Sequence, residues 1–249
     1  MGNKKIKLPA VTLVCVAGIH VKKAIYALWR SSLEIDFSSI KLITNQKILY
    51  KPDWLTIEMA IKNPLSSLNH YNHYCIYTLH NHINSTHALI IQADGYVIDA
   101  HKWNNIFLDF DYIGAPWKIR SDAYIDPHGN HQRVGNGGFS LRSIRLLRVP
   151  LNQKIEWNVN EGTFYKHMNV GEQAEDGIIC VHNRHIYEAA GCNFAPFEIA
   201  LNFSREQKIP ENYKLKTFGF HKKLYSKKLI VVDFYYRIFF NFLYTIKKL

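Results

Sequence analysis

The chain is poor in acid, in paired cysteines and in linker composition, and each shortage narrows what it can be. Only 20 Asp and Glu stand against 31 Lys and Arg in 249 residues, a formal net charge of +11. The imbalance is local. Residues 1–204 carry 20 basic and 17 acidic side chains, whereas residues 205–249 carry 11 and 3. A basic tail suits an anionic membrane surface. No recognisable nucleic-acid-binding motif accompanies the charge, so nucleic acid is not an expected partner. The four cysteines, Cys15, Cys75, Cys180 and Cys192, show no CxxC pair and no zinc-ligand spacing. Each sits in or beside an apolar run, as buried thiols of a reducing compartment do. There is no internal repeat and no low-complexity linker, which leaves one large domain with at most an appendage.

The first residues lack what a secretory leader needs. Lysines at 4, 5 and 7 precede the apolar run Val11–Ala17, but Pro9 stands before the run and no A-x-A-like site follows. A first buried strand is expected instead. Gly2 invites myristoylation, yet Ile6 occupies the place of the required Ser or Thr. Asn84-Ser85-Thr86 and Asn202-Phe203-Ser204 are sequons by pattern only, without meaning in a cytoplasmic protein.

What is present supports a sizeable core: 47% hydrophobic and 14% aromatic residues. Residues 11–17 read as a buried parallel strand, 20–35 as a helix and 40–44 as a second strand. That strand–helix–strand unit opens many nucleotide-binding α/β domains. Residues 52–82 read as mostly helical with a break near Pro64. Residues 87–92 read as a third strand that delivers Asp94 at its C-terminal end, the edge where open α/β sheets bind ligands. Residues 99–134 read as loops, 137–142 as a strand, 143–148 as a basic helical turn. A helix over 175–190 begins at an acidic pair.

Four short motifs fall in order along this frame: Gln92-Ala93-Asp94-Gly95, Gly135–Arg142, Glu175-Asp176-Gly177, and Phe218-Gly219-Phe220-His221. Each alone has a plain reading: a turn Asp, a glycine turn before a strand, helix-start carboxylates, one histidine among 13. Together they supply a hard oxygen ligand, a wall that admits close approach, a general base and an imidazole. That kit can hold a divalent cation, Mn2+ or Mg2+, and a diphosphate around one pocket. It points to transfer of a sugar from a nucleotide. Trp117 reads equally as a stacking floor for an acceptor sugar or as a core residue.

The ordered set resembles glycosyltransferases of the GT-A fold, in which a DxD-type motif, a glycine-rich loop, an xED motif and a C-terminal histidine surround the donor. More closely, Gln92-Ala93-Asp94, Asp111–Trp117, Gly135–Arg142 and Glu175-Asp176 resemble DUF5672, a family of uncharacterised bacterial proteins regarded as glycosyltransferase-like. The resemblance spans roughly residues 10–222. It implies an α/β GT-A-like fold: a Rossmann-type nucleotide-binding mixed sheet flanked by helices. It implies Asp94 and His221 as metal ligands and Asp176 as base, with Glu175 the alternative carboxylate. Gln92, Gly95, Asn136, Gly137, Gly138, Phe139 and Arg142 would line the donor. Gln92 replaces the first Asp of DxD, which removes one anionic ligand. The expected function is inverting transfer from a nucleotide-sugar to a glycan or lipid-linked acceptor in surface polysaccharide synthesis. A sugar nucleotidyltransferase and a non-catalytic glycan-binding or assembly protein are the alternatives.

Two further segments stand out. His70, His73, His80 and His82 suggest a metal cluster, but only His70 and His73 share a helical face. With Tyr71, Tyr74 and Tyr77 interleaved, a solvated or acceptor-facing helix is the expectation. Residues 229–246 are apolar except for Asp233, Arg237, Asn241 and Thr245, one polar stripe on a C-terminal amphipathic helix. Spanning a bilayer would cost about 2.5–3.5 kcal/mol each for the Asp and the Arg. The expected organisation is therefore a domain over 1–222 and a basic hydrophobic helix over 223–249. That helix would lie on the inner face of the cytoplasmic membrane or dock on protein.

Overall fold

The computed structural model describes residues 4–60, 63–119, 124–157, 174–224 and 226–249. Gly2 lies outside them. The centre is a six-stranded mixed sheet ordered β3-β2-β1-β4-β7-β6. Its strands are β1 (Ile6–Val16), β2 (Ile35–Thr44), β3 (Thr56–Met59), β4 (His87–Ile91), β6 (Tyr112–Ile113) and β7 (Phe139–Ser143). β1, the apolar run near the start, pairs in parallel with both β2 and β4. Pro9 cannot donate to the ladder, and the β1–β2 register shifts between Leu8 and Thr12. β4 is buried along its whole length, as its Ala-Leu-Ile-Ile run demands. β7 then runs antiparallel to β4, with Ile91 opposite Phe139. That reversal sets the glycines before Phe139 beside the residues after Ile91.

Helix α1 (Val21–Ser32) follows β1 and buries Ala24, Ile25 and Leu28 against the sheet. Helix α2 (Leu68–Tyr77) is capped by Ser67, whose hydroxyl accepts from the His70 N–H at 3.1 Å. The expected helix over 52–82 is thus only partly a helix. Thr56–Met59 pairs with β2 as an edge strand, and Leu79–His82 forms a 3-10 turn. Four residues rich in β-formers took the free edge that β2 offered.

The expected helix over 175–190 is also broken. One turn, α4 (Glu175–Gly177), runs into a π-helical turn at Ile178–His182. The chain breaks at Asn183 before α5 (Arg184–Ala189). α3 (Ile144–Asn152) follows β7 and is capped by Ser143. All four cysteines are free and buried.

A small second sheet, β5 (Tyr96–Val97), β9 (Gly219–Phe220) and β8 (Ser204–Arg205), explains how distant residues meet. β8 follows α6 (Phe197–Phe203) directly. Tyr96 pairs with Phe220 in an antiparallel ladder. Gly95 and His221, the next residues outward, therefore face each other although the chain between them is long.

The last helix, α7 (Lys227–Thr245), packs on the main core through Tyr236, Phe240 and Tyr244. The Phe240 ring meets Tyr26 edge-on at 5.2 Å and Trp29 at 5.5 Å. Asp233 and Arg237 pair at 2.7 Å, as their spacing suggested. Yet Asp233 is buried and accepts hydrogen bonds from the hydroxyls of Tyr26 and Tyr96. Solvent meets Ile230, Phe234, Tyr235, Ile238, Phe239 and Phe242 instead. Among the described residues no helix is long and apolar enough to cross a membrane.

Candidate active site

The candidate site lies at the C-terminal end of β4. The Gln92 N–H donates to the Gly138 carbonyl at 2.9 Å and extends the ladder by one step. The Gly95 N–H returns to the Gln92 carbonyl at 3.1 Å, turning the chain so that Asp94 stands at the rim, half-exposed. Across from it lies the glycine loop. Asn136 adopts φ 62°, a left-handed value Asn tolerates better than most residues. The next two positions admit no side chain. A Cβ on Gly137 would lie 1.7 Å from Glu175 Oε1, and one on Gly138 would lie 2.2 Å from the His221 ring.

His221 is the hub. Its Nε2 lies 2.9 Å from Gln92 Oε1 and 3.3 Å from Asp94 Oδ1. On the other side, Nδ1 faces Asn136 Nδ2 at 3.1 Å and Glu206 Oε1 at 3.5 Å. Burial alone would lower the imidazole's pKa. The carboxylates of Asp94 and Glu206 outweigh it and push the pKa up to about 9. The hydrogen bond to His221 in turn holds Asp94 below the usual carboxylate range. Glu206 also pairs with Lys222, whose side chain reaches solvent at the rim.

The acidic pair divides into two tasks. Glu175 is buried and pairs with the fully buried Arg142 at 2.9 Å. Arg142 also takes Ser140 Oγ at 3.0 Å and lies over the Tyr112 ring. Expected at the donor, Arg142 instead sits beneath the loop, where its charge meets Glu175. Asp176 stays partly exposed. Its Oδ2 accepts from the Gly137 N–H at 3.0 Å and its Oδ1 from the Gly177 N–H at 2.8 Å. Burial, and then the neighbouring Glu175 charge, push the Asp176 carboxyl up to about 7. A group with that pKa is matched to proton transfer at neutral pH.

Other expected positions are accounted for. Phe139 is fully buried, its ring packed on Phe203 and Phe218 behind the loop. Trp117 is buried as well, stacked on Tyr124 at 4.3 Å and pressed against Gly135. It supports the loop from behind, and no open ring face is left for a sugar. The histidine-rich stretch is dispersed. His82 binds Glu58 and the Tyr74 hydroxyl, His70 binds Ser66, and His73 packs on Tyr77 and Trp157.

Glu206 and Lys222 join the candidate site although the motifs did not reveal them. Lys222 adjoins His221 and was visible as its neighbour. Glu206 sits in an unremarkable Ser-Arg-Glu-Gln stretch, and only the β8–β9 pairing brings it under the imidazole.

Among the described residues no three His, Cys, Asp or Glu side chains are grouped to hold a metal ion. The set is Asp94, His221 and the Gln92 amide oxygen, with one carboxylate where two would bind more tightly. One observation favours the fit. Asn136 Oδ1 is buried without a hydrogen-bond partner while its amide nitrogen faces His221 Nδ1. A half-turn of the Asn136 amide exchanges its oxygen and nitrogen and gives Nδ1–H an acceptor. Nε2, which faces Gln92 Oε1 and Asp94 Oδ1, would then ligate once it loses its proton, oriented from behind as metal-bound imidazoles are.

Solved structures of similar shape are glycosyltransferases. A crystal structure of an active-site mutant of LgtC superposes with a TM-score of 0.51 at 13% identity, over 84% of this chain and 86% of that one. A galactosyltransferase LgtC complex with donor and acceptor sugar analogues gives 0.49 at 10% identity, over 87% and 88%. A glycosyltransferase involved in glycosylating the major capsid of PBCV-1 gives 0.46 at 11%, over 92% and 100%. No curated protein matches the chain in sequence. At these identities the first of the three likenesses speaks for the fold alone, an α/β GT-A architecture with a central mixed sheet flanked by helices. Residues 55–221 match the model of the family described as "Protein of unknown function (DUF5672)", and the chain belongs to that family.

Proposed function

We propose that this protein transfers a sugar from a nucleotide-sugar donor to a glycan or lipid-linked acceptor in surface polysaccharide synthesis. The observation that carries this reading is the convergence at one sheet edge of Asp94, His221, the side-chain-free Gly137-Gly138 wall and a carboxyl, Asp176, pushed up to about 7. The acceptor hydroxyl attacks the anomeric carbon while Asp176 takes its proton. The bond from that carbon to the diphosphate oxygen breaks, and the nucleoside diphosphate leaves with the bonding pair. Direct displacement inverts the anomeric centre. The Gly95 turn and the loop from Asn136 to Gly138 admit the donor closely, while Phe139 and Trp117 hold that loop rigid. Lys222, at the rim, meets diphosphate charge.

Asp94, His221 and the Gln92 oxygen would hold Mn2+ or Mg2+. Such an ion supplies positive charge opposite a leaving diphosphate. Because His221 must first lose its proton, loading is expected to strengthen as pH rises toward about 9. The exposed apolar face of α7, with lysines at both ends, supports a peripheral position on the inner face of the cytoplasmic membrane.

The test is a thermal-shift screen of nucleotide sugars with and without Mn2+, followed by identification of the released nucleotide. A nucleoside diphosphate supports transfer. Pyrophosphate would move the protein to the nucleotidyltransferases, and glycan binding without turnover of any donor would make it a binding protein. Asp94→Ala and His221→Ala should each weaken Mn2+-dependent binding of nucleoside diphosphate. Turnover unchanged by EDTA would remove the metal and leave Lys222 to neutralise the phosphates.

A further inference from the structure

A second concentration of basic side chains lies outside this site. A cavity of about 470 Å³ opens at the start of α7. Six basic side chains line it, Lys214, Lys216, Lys223 and Lys228 among them, against one carboxylate, Asp99. Its floor is apolar, formed by Phe220, Leu224 and Leu229. Side chains alternate along a strand, so Phe220 turns into this cavity while the next residue, His221, turns into the donor pocket. The two sites therefore sit back to back across β9.

The cavity reaches α7 at Lys228 and Leu229, and Ile230, Val231 and Phe234, each 49–60% exposed, follow along the same helix. The buried Asp233, held by Tyr26, Tyr96 and Arg237, fixes the roll of the helix so that this face points outward. A ring of cations around an apolar floor that leads onto an apolar helix face matches one ligand chemistry: an anionic headgroup with aliphatic chains beside it. Free phosphate would satisfy the cations and leave the floor unused.

We propose that this cavity binds the phosphate headgroup of an anionic glycerophospholipid in the bilayer on which α7 rests. The inference deepens the peripheral membrane reading made above and rests on it. Clustered lysines at a membrane surface draw anionic lipid in any case. The proposal adds a discrete, saturable site.

The test uses the full-length protein and short-chain lipid below its micellar concentration, which needs no bilayer. Titration calorimetry with dihexanoylphosphatidylglycerol should show one saturable site, and dihexanoylphosphatidylcholine should bind at least about tenfold more weakly. Lys216→Gln, Lys223→Gln and Lys228→Gln together should abolish that site. Lys22→Gln, Lys23→Gln and Lys247→Gln, the same charge removed elsewhere, should leave it. Circular dichroism and the melting temperature of both triple variants confirm that they fold. No saturable binding, or equal weakening by the two triple variants, overturns the proposal. Displacement by inorganic phosphate at concentrations equal to the lipid does so too, since it makes the site one for free anion. Sedimentation with vesicles of phosphatidylglycerol and phosphatidylcholine tests the underlying reading apart. Phe234→Ser with Phe242→Ser should lose the vesicles and keep the soluble lipid. If wild-type protein binds soluble lipid but no vesicle, docking falls and the headgroup site stands.

Discussion

The candidate site and the tail helix both bury charged side chains, and they do so to different effect. At the candidate site the charges gather about the glycine loop. Arg142 and Glu175 pair beneath the glycine loop, and His221 is held between Asp94 and Glu206. The loop gives up its side chains so that backbone can approach. In the tail, Asp233 accepts from two tyrosines and pairs with Arg237. Burying Asp233 turns Ile230, Phe234 and Ile238 outward as an apolar surface, while Asn241 and Thr245 of the same stripe stay exposed. Buried charge is costly unless partnered, so both sets are specific in orientation. One fixes the groups of the candidate site, and the other fixes which face of a helix meets the surroundings.

The comparison breaks first at Asp176. Asp176→Asn keeps the shape and, through its single amide oxygen, one of the two backbone hydrogen bonds, but removes the base. It should lower kcat by about 10²–10⁴ with donor binding largely intact. The pH profile follows from the same group. With its carboxyl pushed up to about 7, Asp176 is protonated and idle at lower pH, so kcat should rise with pH and level off above about 7. A profile flat from pH 5.5 to 8, or activity of Asp176→Asn within a few-fold of wild type, takes Asp176 out of that role.

Glu175→Gln separates structure from chemistry within the acidic pair. It leaves the guanidinium of Arg142, which is fully buried, without its anion. Breaking a buried pair from one side costs about 3–5 kcal/mol. The expected outcome is a large loss in denaturant midpoint, with kcat of the remaining folded protein changed far less than in Asp176→Asn. Small destabilisation joined to a thousand-fold loss of kcat would exchange the two roles.

The same two regions show how far the sequence could be read. In the pocket, the order of motifs named Asp94, the glycine loop, Asp176 and His221, and the structure brings them to one edge. Order was informative because the backbone carries it: a strand end, a tight loop and a late strand each place one group. The direction of a side chain was less legible. Arg142 and Trp117 lie in the expected segment but point into the core, a choice set by alternation on β7 and by packing on Tyr124. Glu206 had no local signature at all. In the tail, periodicity found the helix and the Asp233–Arg237 pair. It could not say which way the stripe faces, since Tyr26 and Tyr96, the groups that receive Asp233, lie far away in sequence. The edge strand Thr56–Met59 escaped for a related reason. Four residues carry little periodicity, and pairing with β2 decided their state.

The smallest effect expected is the most useful for the tail. Phe240 and Phe234 lie on one helix, the first 2% exposed and packed on Tyr26 and Trp29, the second 60% exposed. Phe240→Ala opens a cavity in the main core and should cost about 3–5 kcal/mol. Phe234→Ser removes an aromatic ring that already meets solvent, so the folded protein should change by no more than about 0.5 kcal/mol. Urea melts of the two variants beside wild type read both numbers. The contrast matters because an apolar face that adds nothing to folding is free to meet something else. If Phe234→Ser costs as much as Phe240→Ala, that face is covered in the folded protein in solution, by a second copy or by its own chain. The outward surface on which membrane docking depends would then not exist.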